Sequence, residues 1–117
     1  CGSAAELSRL IASIDGLPHV KDILSQKSIQ FMTTEQPDHQ YSIGWNYTPK
    51  SNRPWIRTGS LAGTSAIVLK YPDGQCWILI TNTSTWKGHG FSNDTVAFFE
   101  KLRKQFMADM PKKDLFI

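Results

Sequence analysis

Apolar residues in the first third of the chain recur with the period of a helix. Leu7, Leu10, Ile11 and Ile14 fall at i, i+3, i+4 and i+7, which lines them up along one face. Ser3 and Glu6 stand three residues apart at the head of that face, the capping-box arrangement in which each side chain takes the other's backbone amide. Asp15-Gly16 supplies a left-handed stop. Together these signals predict a helix of about three turns. Residues 18–34 are patterned more weakly. Val20, Ile23 and Leu24 suggest a short helical turn, and Ser25 can cap a second helix carrying Ile29 and Met32. Pro37 and the polar stretch 33–40 close this helical region.

From residue 40 the period drops to two. Tyr41, Ile43, Trp45 and Tyr47 alternate with Ser42, Gly44 and Asn46, the pattern of a strand with one aromatic face. Residues 48–54 hold two prolines, Ser and Asn and predict a loop. A short strand follows at 55–59, then a bend of small residues at 59–65. The apolar runs 66–69 and 76–80 are joined by Tyr71-Pro72-Asp73-Gly74, with Pro and Gly where a type I turn plus bulge wants them. Continuous apolar runs mean strands covered on both faces, so helices are expected on each side of the sheet. In the last third, Ser92, Asn93 or Asp94 can cap a helix. Val96, Phe98, Phe99, Leu102, Phe106 and Met110 form its wide apolar stripe, and Pro111 ends it. The expected fold class is therefore α+β: an antiparallel sheet of about four strands, an N-terminal helical segment, and a long C-terminal helix packed on the sheet.

Composition adds limits. With 117 residues, 40% apolar and 20% charged, residues 1–117 form a single domain with enough apolar surface for a core. Two cysteines, Cys1 and Cys76, exclude a disulfide framework. No run approaches the length of a membrane span. A lipid on Cys1 would need a tether, and a capped helix begins two residues later; this favours a piece cut from a longer chain. The net charge of +3 resides in residues 100–113, where Lys101, Arg103, Lys104, Lys112 and Lys113 outnumber Glu100 and Asp109. Cations in a last helical turn complement the helix dipole. Aromatic residues do not alternate with them as a base-stacking surface requires, so no nucleic-acid partner is expected.

Most candidates for chemistry are bland. His19, His39 and His89 lack metal-ligand spacing, so no metal and no cofactor are expected. Cys76, inside an apolar strand without flanking charge, reads as a small buried hydrophobe. Ser84-Thr85-Trp86-Lys87 matches Ser-x-x-Lys, but the Lys87-Gly88-His89-Gly90 ending breaks the helix that mechanism needs. Arg57-Thr58-Gly59-Ser60 is different: a cation, a hydroxyl and a glycine end a strand in sequence. On an edge strand, the missing Cβ of Gly59 would let a ligand lie close, and free N–H groups could donate to a developing oxyanion.

Tyr41-Ser42-Ile43-Gly44-Trp45, then Arg57-Thr58-Gly59-Ser60-Leu61-Ala62-Gly63-Thr64-Ser65-Ala66, then an apolar hairpin ending Ile80-Thr81-Asn82, resembles the C-terminal part of the serine β-lactamase and penicillin-binding-protein family. The class C-like branch is nearest, with its Tyr-Gly-Leu-Gly-Trp strand and its His/Lys-Thr-Gly-Gly-x-Pro-Gly-x-Ser-Ser motif. Ser3-Ala4-Ala5-Glu6-Leu7-Ser8-Arg9-Leu10 is similar to the family's Ser-Ala-x-Asp-Leu-Ala-Arg-Phe helix. The resemblance covers almost the whole chain and rests on collinearity. It implies that Arg57 stands where the family has Lys or His, a cation that holds the substrate carboxylate or tunes the active-site protonation. It further implies that Thr58 contacts substrate, Gly59 admits it, and Ser60 offers half of an oxyanion hole. Arginine keeps the charge but cannot shuttle a proton, and Ala62 replaces the usual proline.

The family's nucleophilic serine, its lysine and its Tyr-x-Asn or Ser-x-Asn element lie upstream and have no counterpart here. The chain alone is thus expected to be inactive, because an oxyanion hole without a nucleophile forms no acyl-enzyme. The resemblance implies a longer parent that attacks a β-lactam, a D-Ala-D-Ala peptide or an ester in the periplasm or cell envelope. The alternative expectation is a stand-alone, non-catalytic module that binds a peptide or cell-wall fragment along residues 55–59. In either case, an exposed sheet edge would also permit self-association.

Overall fold

The computed structural model describes residues 2–34, 42–46, 54–83 and 90–109. Helix α1 runs Ala4–Ala12 and begins at the expected capping box. The Glu6 amide donates to Ser3 Oγ at 3.2 Å, and the Ser3 amide donates to Glu6 Oε2 at 2.7 Å. That backbone bond from Ser3, helped by the Ser3 hydroxyl, lowers the pKa of the Glu6 carboxyl. Helix α2, Gln26–Thr33, is capped by Ser25 and buries Ile29. The helical turn expected around Val20, Ile23 and Leu24 does not form. Those residues lie in bends, with Ile23 69% exposed and Val20 and Leu24 only half-buried, and a single turn without a fully buried face is not held in place.

Among the described residues the sheet has three strands, against about four expected: β1 (Trp55–Leu61), β2 (Thr64–Lys70) and β3 (Cys76–Thr81), antiparallel in the order β1-β2-β3. The alternation through residues 41–47 had predicted another strand. Within the described part, residues 42–46, the backbone instead reverses around Gly44 at φ +87°, closed by an isolated bridge between Ser42 and Trp45. Glycine reaches that left-handed conformation without steric cost. Trp45 is still buried, tilted against Trp55 with ring centroids 5.3 Å apart. Trp45 of the alternating face is therefore buried from a turn, in a pocket it shares with Trp55.

The hairpin joining β2 to β3 turns as expected. The Gly74 amide donates to the Tyr71 carbonyl at 3.1 Å, the Tyr71 amide to the Gln75 carbonyl at 2.8 Å, and Gly74 takes φ +94°. Helix α3, Gly90–Phe106, packs on the sheet. It is already helical at Gly90, so Ser92, Asn93 and Asp94 lie inside it and none is the cap. Met110 and Pro111 fall outside the described residues.

Helices do cover the sheet on both sides. Ile67, Leu69 and Tyr71 pack with Phe99, joined by Val96 and Leu102 of α3 and by Ile56, Trp77 and Leu79. On the opposite face, Val68 packs with Ile11 and Trp45, joined by Leu7 and Ile14 of α1 and by Trp55, Cys76 and Ile78. β2 thus carries core residues on both faces, which is why its run is continuously apolar. The expected α3 stripe is narrower than the sequence pattern: Phe98, 55% exposed, and Phe106 stand outside the core.

Polar contacts fasten both helices to the β2–β3 hairpin. The Tyr71 hydroxyl donates to Glu100 Oε1 at 2.9 Å, and the Arg103 guanidinium lies 4.2 Å from the centroid of the Tyr71 ring. Arg103 also pairs with Asp73 and donates to Gln75 Oε1 at 3.2 Å. Burial, reinforced by Glu100, raises the pKa of the Tyr71 phenol. Across the sheet, Lys70 Nζ lies 2.6 Å from Asp15 Oδ2, with the two side chains 6% and 5% exposed, and donates to the Gly74 carbonyl at 2.8 Å.

Candidate functional site

Arg57, Thr58, Gly59 and Ser60 are consecutive residues of β1, which is an edge of the sheet among the described residues. Their register against β2 is Arg57 to Val68, Thr58 to Ile67, Gly59 to Ala66 and Ser60 to Ser65. Backbone groups of successive strand residues point to alternate sides. The Thr58 amide donates to Asn46 Oδ1 at 2.9 Å, and the Asn46 amide donates to the Ile56 carbonyl at 2.8 Å. Ile56, Thr58 and Ser60 therefore direct their amides and carbonyls away from β2, whereas Arg57 and Gly59 direct theirs toward it.

Side chains follow the same alternation between the two faces of the sheet. Arg57 and Gly59 share the α1 face with Trp55, two residues apart in each step, and Thr58 lies on the α3 face opposite Ile67. The α1 layer covers the Trp55, Val68 and Ile78 end of that face and leaves the Gly59 end open. Arg57, Gly59 and Ile80 are exposed there, and among the described residues a Cβ placed on Gly59 would meet nothing within 4 Å. None of the described carboxylates pairs with the Arg57 guanidinium. The structure thus brings together a cation and an open glycine on one face, beside the edge-directed amide of Ser60. It sets the Thr58 side chain on the other face.

Among the described residues nothing is arranged as an activated nucleophile. Cys76 lies across the ladder from Lys70, and burial pushes its thiol up to about 11 against the smaller pull of the Lys70 ammonium. The hydroxyls of Ser42 and Ser65 are buried without a hydrogen-bond partner. No group of three or more His, Cys, Asp and Glu among the described residues could hold a metal ion. His39, His89 and the Ser84-Thr85-Trp86-Lys87 pattern lie outside the described residues.

Two features escaped the sequence reading. Asn46 had been a polar position of an alternating strand, yet it clasps the edge of β1 through both its amide and its side chain. Lys70, which the sequence reading did not single out, is buried in an ion pair. For Asn46 no sequence signal was present; for Lys70, a lone cation beside a continuous apolar run and a turn was the available hint.

No family model, no curated protein and no solved structure matches this chain. No helix among the described residues is long and apolar enough to cross a membrane.

Proposed function

We propose that the chain is the C-terminal portion of an acyl-serine hydrolase of the β-lactamase and penicillin-binding-protein type, contributing its substrate-binding edge strand. The observation that carries this reading is the open surface over Gly59, flanked by the exposed Arg57 and by a Ser60 amide directed off the sheet edge. In that role Arg57 holds a substrate carboxylate, Gly59 lets the acyl group lie against the strand, and the Ser60 N–H donates to the oxyanion. The serine that attacks, and the cell-envelope location, belong to the longer parent.

The alternative is a stand-alone, non-catalytic module that binds a peptide or cell-wall fragment along residues 55–59, and of these the extended peptide is disfavoured. Asn46 already occupies the Ile56 carbonyl and the Thr58 amide that such a peptide would need.

A fluorescent penicillin tests the reading. The isolated 117-residue chain is expected to remain unlabelled. A longer reading frame that includes an upstream Ser-x-x-Lys is expected to be acylated, with labelling reduced at least tenfold by Gly59→Val or Arg57→Ala. Acylation of the isolated chain, or an unlabelled parent with an intact serine and lysine, would overturn it.

A further inference from the structure

We propose that Asn46 sets the length of ligand that the free edge of β1 accepts, admitting a compact acyl group at Ser60 and refusing an extended strand. The inference rests on the reading that this edge binds ligand, and it adds a specificity determinant to it.

An extended peptide that adds to a sheet edge exchanges hydrogen bonds with every second residue of the edge strand. On β1 those residues are Ile56, Thr58 and Ser60. Asn46 imitates an added strand at two of them: its own amide donates to the Ile56 carbonyl at 2.8 Å, and its side-chain oxygen accepts the Thr58 amide at 2.9 Å. The segment that carries it is anchored. Trp45, 5% exposed, is held in the core against Trp55, and the preceding residues close on themselves through the Ser42–Trp45 bridge. An incoming peptide would have to break the Thr58 bond before it could pair beyond Ser60. A ligand that needs only one carbonyl site beside Ser60, with its carboxylate near Arg57, has nothing to displace. The same residue thereby protects most of a bare edge from indiscriminate strand pairing.

Asn46→Ala removes the side-chain acceptor and frees the Thr58 amide, adding one residue pair to the usable edge. Asn46→Asp retains an oxygen acceptor and is the conservative control. Two probes distinguish the lengths: N-acetyl-D-alanine as the compact one and an uncharged hexapeptide of alternating Thr and Val as the extended one. Binding is followed through the backbone amide resonances of residues 55–61 in the full chain, with circular dichroism confirming that each variant is folded. The hexapeptide is expected to bind Asn46→Ala about tenfold more tightly than wild type or Asn46→Asp, the equivalent of one to two hydrogen bonds. N-acetyl-D-alanine is expected to shift the Ser60 amide similarly in all three. Equal hexapeptide affinity across the three proteins, or no hexapeptide binding to any, overturns the role of Asn46. Failure of N-acetyl-D-alanine alone counts against the hydrolase reading and leaves the Asn46 result standing.

Discussion

Cys76 shows how one residue's chemistry is set by its neighbours. The thiol sits in the α1-side core, across the ladder from Lys70, and the desolvation of a thiolate there outweighs the attraction of the ammonium. The pKa rises from 9.0 to about 11, so between those values the folded chain keeps the thiol protonated while an unfolded chain ionises it. In a Cys1→Ser variant, which leaves Cys76 as the sole thiol, alkylation by iodoacetamide is therefore expected to be slow at pH 8 and to accelerate only as pH approaches 11, whereas in urea the increase comes near pH 9. A folded-state rate that rises at pH 9 would show the thiol to be exposed. The sequence was enough to read Cys76 as inert, because a cysteine inside an apolar run has few ways to be activated. It was not enough for Asn46, whose two bonds to β1 join residues ten and twelve positions apart and depend on how the backbone turns at Gly44.

Among the elements, α1 was legible from its first residues, because a capping box and an i, i+3, i+4, i+7 stripe are local signals. The β2–β3 hairpin was legible for the same reason. α3 was legible as a helix but not in its contacts. Periodicity grouped Phe98 and Phe106 with Val96, Phe99 and Leu102, yet a sheet only three strands wide covers a limited arc of the helix. Beside those apolar contacts, Arg103 ties α3 to the hairpin, meeting the Tyr71 ring, Asp73 and Gln75 at once. Arg103→Ala is expected to cost about 1–2 kcal/mol, summing a partly exposed ion pair and a cation–π contact. Arg103→Lys recovers only part of it, since an ammonium lacks the planar fork. Urea denaturation followed by tryptophan fluorescence measures both. A loss below about 0.3 kcal/mol in the alanine variant would assign the orientation of α3 to its apolar contacts alone.

At the scale of the whole molecule, β2 is the shared wall of two cores, and α1 and α3 reach it from opposite sides. The α1 side is fastened by Lys70 and Asp15, both nearly out of contact with water. Removing one partner strands the other as a buried charge, so Lys70→Met is expected to destabilise the chain by about 3–5 kcal/mol. Replacing both, as Asp15→Leu with Lys70→Met, is expected to restore most of that loss, because the desolvation of the pair is removed with it. Chemical denaturation of the two variants decides the matter: a double variant no more stable than the single one would mean that the pair is held for its hydrogen bonds to Gly74 and Leu17. Among the described residues Gly59 is left uncovered, because α1 extends over only one end of its face. Helix caps, hairpin turns and the apolar run of β2 could be read along the chain, since each arises from residues within a few positions of one another. The turn at residues 42–46, the clasp of Asn46 on β1, the burial of Lys70 and the open face at Gly59 could not, since each depends on which distant surfaces meet and how far a short helix reaches once they have packed.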